Sequence, residues 1–120
     1  MKKQKIKKNY MDIKFLPEKS ISWREEEKLV ILDVENKGFF NRIAQKFFGQ
    51  PKISHISLDK YGSTLWQLLD GENTVFQIVK KMEEAFPTEK DKMLNRVITF
   101  LHNLQVNKYI MSNIFENVQN

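Results

Sequence analysis

Three apolar stripes at helical spacing run one after another through the second half of this chain, each behind a capping residue. Asp59 precedes Tyr61, Leu65, Leu68 and Leu69, and Asp70-Gly71 closes that segment. Thr74 and Gln77 have the spacing of a capping box and open the stripe Val75, Ile78, Val79, Met82 and Phe86, which stops before Pro87. Thr88, with Asp91 three residues on, is expected to cap a third helix carrying Leu94, Val97, Ile98, Leu101 and Leu104 and ending near Asn107. Three amphipathic helices in succession must bury their stripes together, so this half is a small helical bundle.

The first half follows a different period. Ile21-Ser22-Trp23-Arg24 and the β-branched run Leu29 to Val34 read as a hairpin, with strands at about 21–25 and 28–34 around the acidic turn Glu25-Glu26-Glu27-Lys28. Phe40, Ile43 and Phe47 mark a short amphipathic helix at 39–48, stopped by Gly49 and Pro51. Lys52 to Leu58 alternates as a third strand, with Ser54, Ile56 and Leu58 on one face and Ile53, His55 and Ser57 on the other. Lys108 to Phe115 fits a final strand or a helical tail. The expected fold class is α+β: a three-stranded antiparallel sheet, then a three-helix bundle, with an extra short helix between the second and third strands. The expected organisation is a basic, flexible arm at 1–20, one folded domain at 21–110 and a tail at 111–120.

Charge narrows the function. The 120 residues hold 20 Lys+Arg and 15 Asp+Glu, a formal charge of +5, but five of the lysines lie in residues 1–8 with no acid among them. Positions 9–120 therefore carry 15 basic and 15 acidic residues, which argues against a basic groove following a phosphate backbone. Cysteine is absent, which removes disulfides, thiolate metal sites and thiol nucleophiles and fits a cytoplasmic location. No apolar run approaches the ~20 residues of a membrane span, and nothing apolar follows the lysines as a signal peptide requires.

Enzyme signals are poor. His55 and His102 are the two histidines, neither has a second ligand at i+3 or i+4, and no nucleophile elbow or glycine-rich phosphate loop is present. No catalytic residue, metal site or cofactor is expected. Two other features suggest binding. The third helix carries Met93, Arg96 and Phe100 on a stripe beside its core stripe, enough to line a groove or to broaden a core contact. The strand at 52–58 contains no proline, and in a three-stranded sheet it is open to an added strand unless another part of the chain covers it.

The run Ile56-Ser57-Leu58-Asp59-Lys60-Tyr61-Gly62-Ser63 to Thr74-Val75 resembles the PqqD-like family, named after a pyrroloquinoline quinone biosynthesis protein. The carrying pieces are Leu58-Asp59-x-x-Gly62-Ser63 before a helix with Trp66, then Asp70-Gly71-x-x-Thr74-Val75. Arg96 to Leu104 and Tyr109-Ile110 continue the pattern, and Trp23 with the Leu29–Val34 strand fits its opening hairpin, so about residues 20–110 are covered. The resemblance implies a winged-helix-like fold and a non-catalytic role. Such proteins are RiPP recognition elements: they bind the leader segment of a ribosomally made precursor peptide and present it to a modifying enzyme, often a radical-SAM protein. The leader then lies as an extra strand on the third strand, against the third helix. Mapped here, the contacts are Ile53, Ser54, His55, Ile56 and Ser57 on the strand, and Met93, Arg96 and Phe100 on the helix. The 39–48 helix departs from the family pattern.

Two other readings compete. A winged-helix DNA-binding protein would use Lys92, Asn95, Arg96, Thr99, His102 and Asn103 of the third helix to reach bases. A homodimer would pair the edge strand with a second copy.

Overall fold

The computed structural model describes residues 10–35 and 53–113. The expected 39–48 helix and the first nine residues of the basic arm lie outside them. The elements are β1 (Phe15–Pro17), β2 (Ser22–Glu26), β3 (Leu29–Glu35), β4 (Ile53–Ser57), α1 (Lys60–Trp66), α2 (Val75–Ala85), a 3₁₀ turn (Pro87–Glu89), α3 (Lys90–Val106) and β5 (Ile110–Ser112). The chain is mixed α+β with antiparallel sheets, as expected. It divides into a sheet unit, residues 19–63, and a helical unit built from the residues before and after it.

In the sheet unit the order is β2-β3-β4, antiparallel throughout. Glu27 and Lys28 form the hairpin turn at φ 52° and 69°. Two consecutive left-handed residues are what a two-residue turn of the right twist demands, although neither is the usual Asn or Gly. The turn is shorter than the expected acidic one, because Glu25 and Glu26 continue β2. Val30 and Leu32 are fully buried, while Ile31, Asp33 and Glu35 take the opposite face.

The Leu58-Asp59-x-x-Gly62-Ser63 string is the fastening between this sheet and α1. The Leu58 amide donates to the Val30 carbonyl at 2.9 Å, and the Asp59 carboxylate caps α1 by accepting from the Gly62 amide at 2.7 Å. Ser63, only 3% exposed, accepts from the Val30 amide at 2.8 Å and donates to the Leu58 carbonyl at 3.2 Å. A side chain without an acceptor there would strand a buried amide.

In the helical unit α2 begins with both halves of the capping box: Thr74 accepts from the Gln77 amide at 3.1 Å, and the Gln77 side chain accepts from the Thr74 amide at 2.8 Å. Helix α3 starts differently from expectation. Pro87–Glu89 forms a 3₁₀ turn, Glu89 occupies the N-cap position, and no side chain caps it, so Thr88 is not the cap. Its end is a Schellman closure, with the Tyr109 amide on the Leu104 carbonyl at 2.9 Å and the Lys108 amide on Gln105 at 3.0 Å. Lys108 sits at φ 62° in the position that favours glycine.

The expected ends of the domain are corrected. Phe15–Pro17 pairs with Ile110–Ser112, Phe15 is fully buried, and Lys14 bridges Thr74. The Asp70-Gly71-x-x-Thr74-Val75 string receives this strand: the Gly71 amide donates to the Phe15 carbonyl at 3.0 Å and the Val75 amide to Ile13 at 2.9 Å. Gly71 has φ 78°, and Asp70 holds the turn by accepting from the amides of Glu72 and Asn73, both at 2.9 Å. Residues 10–18 are thus part of the fold and not an arm, and 111–113 are not a tail. Strands of three residues are too short to show a period, which is why the sequence hid them.

Candidate functional site

The outer edge of β4 can be resolved residue by residue. In an antiparallel ladder, directly opposed residues alternate between pairs that exchange main-chain bonds and pairs that do not. Leu58 bonds to Val30. Stepping by two along the register makes Ile56–Leu32 and Ser54–Val34 bonded pairs as well. Ile53, His55 and Ser57, opposite Glu35, Asp33 and Ile31, therefore turn their N–H and C=O groups away from β3. Among the described residues, β4 is the terminal strand on that side. Its burial alternates accordingly: Ile53, His55 and Ser57 exposed, Ser54 and Ile56 half-buried. Both faces expected from the alternation are present.

The exposed face of this sheet carries a network that spans all three strands. Arg24 on β2 donates to both oxygens of Asp33 on β3, at 2.6 and 2.5 Å, and also binds Glu26 at 2.6 Å. His55 on β4 brings Nδ1 to 2.5 Å from the Asp33 carboxylate. The Arg24 guanidinium, and then the His55 contact, hold the Asp33 carboxyl below the usual carboxylate range. Asp33 and Arg24 were not expected as site residues. Asp33 stands between Leu32 and Val34 on the outward parity of β3, and that misplaced-looking acid was the available signal.

On α3 the three expected residues separate. Met93 is fully buried and belongs to the core stripe with Val97, Leu101 and Leu104, whereas Leu94, expected in the core, is 44% exposed. Val97, Leu101 and Leu104 are buried as expected, Met93 takes the place of Leu94 at the start of the stripe, and Met93 presents no surface to a ligand. Arg96 is half-buried and ion-paired with Glu89, which precedes the helix. Phe100 is half-buried.

Among the described residues no cluster of three metal-ligating side chains occurs, and no helix is long and apolar enough to cross a membrane. The chain matches the family model described as coenzyme PQQ synthesis protein D (PqqD) over residues 28–110, more than half its length, and belongs to that family. The family's members are non-catalytic accessory proteins of coenzyme PQQ and related peptide-derived biosynthesis. Comparison with curated proteins and with solved structures gave no match. The two strings that carried the resemblance hold structural positions here, fastening α1 to β3 and β1 to the start of α2.

Proposed function

We propose that this protein binds the leader segment of a ribosomally made precursor peptide as an added strand on β4, and presents it to a modifying enzyme of the radical-SAM type. The observation that carries this reading is the outward set of main-chain groups at Ile53, His55 and Ser57 on the terminal strand of the sheet. Main-chain bonds accept many sequences, and neighbouring side chains select among them. A leader that orders on binding loses part of its contact energy to ordering, so affinity near micromolar, about −8 kcal/mol, suits a protein that must hand its cargo on. Within the helical unit, Arg96 and Phe100 are proposed to contact the leader, and the strand proposal does not depend on them.

The test uses the full chain and the N-terminal segment of a precursor peptide encoded beside the gene, followed by fluorescence anisotropy. His55→Pro deletes one outward N–H and is expected to lower affinity at least about tenfold, while the fold survives because that group bonds to nothing within the sheet. Ile56→Pro deletes a bond to β3 and is expected to damage the sheet itself. Unchanged affinity in His55→Pro would contradict the reading. Raising salt from 50 to 200 mM should change peptide affinity only a few-fold, against the roughly 10³–10⁵ lost by a protein making many phosphate contacts.

A further inference from the structure

We infer that the exposed face of the three-stranded sheet selects leaders carrying a lysine or arginine beside His55, and that His55 reads this residue through Nε2. The inference rests on the leader-binding reading above.

It begins with a proton. Asp33 lies 2.5 Å from His55 Nδ1 and is clamped by Arg24, so it is an ionised acceptor and Nδ1 must carry the hydrogen. In the neutral ring Nε2 is then an acceptor. The side chain of His55 is 62% exposed, on the strand beside which the leader would lie. A strand added to β4 places alternate side chains on this face, next to Ile53, His55 and Ser57.

Charge decides which partner suits that acceptor. The face holds Arg24 and Glu26 from β2, Asp33 and Glu35 from β3, and His55 from β4. Arg24 is shared between Asp33 and Glu26, which leaves this group one negative charge in excess. Glu35, opposite Ile53, is a further acid on the same face. A cationic side chain can donate to Nε2 and be attracted by both acids, whereas a carboxylate meets repulsion and finds no donor at Nε2.

The experiment selects binders to the full chain from a display library of extended random decapeptides, at pH 7.5. Lys or Arg should be enriched at one position of the alternating pattern, and the enrichment should disappear against His55→Gln combined with Glu35→Gln. For one selected peptide, replacing that residue by Ala should cost about 2- to 5-fold in affinity. Ring ¹⁵N shifts of His55 should report the Nδ1–H form and do not depend on any ligand. Enrichment of Asp or Glu, a flat charge preference, or an Nε2–H ring would overturn this inference, and leader binding would still stand if His55→Pro abolishes capture. Peptides that bind His55→Pro unimpaired would overturn the leader reading and this inference with it.

Discussion

The two units treat their polar groups in opposite ways. In the helical unit most segment ends are closed, the start of α3 excepted: the capping box opens α2, a Schellman turn ends α3, and the Asp70-Gly71 turn receives the N-terminal strand. In the sheet unit every residue of β2 is exposed, and β4 turns the main chain of alternate residues outward. Stability is concentrated where donors are used up, and binding capacity where they are left over. Of the two sequence strings that identify the family, the one at 70–75 lies in the helical unit and the one at 58–63 in the sheet unit, and in both the named polar groups are used up within the fold.

This contrast predicts where substitutions act. The largest loss of stability is expected from Met93→Ala, about 2–5 kcal/mol by urea unfolding, whereas Leu94→Ala should stay within about 0.5 kcal/mol. The opposite order would restore the stripe expected from the sequence. Ser63→Ala leaves the Val30 amide buried without its acceptor and should cost about 1–3 kcal/mol. Thr74→Ala removes half of the capping box and should cost about 1 kcal/mol by the same measurement. Lys108→Gly relieves a left-handed residue and should raise stability by about 1 kcal/mol. None of the five should change peptide affinity in proportion to its effect on stability. If one did, the separation between fold and edge would fail.

Acid sharpens the comparison with the smallest effect. Asp33 in the sheet and Asp70 in the helical unit are both held below their ordinary pKa, Asp33 chiefly by Arg24 and Asp70 chiefly by the Asn73 and Glu72 amides. A depressed folded pKa contributes stability that is present above the unfolded value, near 3.9, and is lost as pH falls through the folded one. Thermal unfolding followed below pH 4 should therefore show a decline. The Asp33 share should shrink in high salt, because its partner is an exposed charge, and the Asp70 share should persist, because its main partners are amides.

Much of the fold was legible from period and caps. The hairpin, the alternating third strand, the capping box and the three helices all appear close to their expected positions, because each spans enough residues for a period to show. What stayed hidden was short or tertiary. Three-residue β1 and β5 carry no period, and only their pairing puts Phe15 in the core. At the start of α3 Met93 is buried and Leu94 is not, since the two are equally apolar in sequence and packing chose between them. At the candidate site the strand residues were read correctly as two faces. Which of them direct main-chain groups outward was not, because that depends on the register with β3.

That register supplies the most direct measurement of the central claim. Amide hydrogen exchange can be followed by NMR on the full chain, with and without a saturating selected peptide. The account predicts new protection at Ile53, His55 and Ser57, alternating with little change at Ser54 and Ile56, whose amides already bond to β3. Protection that skips those three residues, or that spreads evenly along β4, would contradict strand addition at this edge.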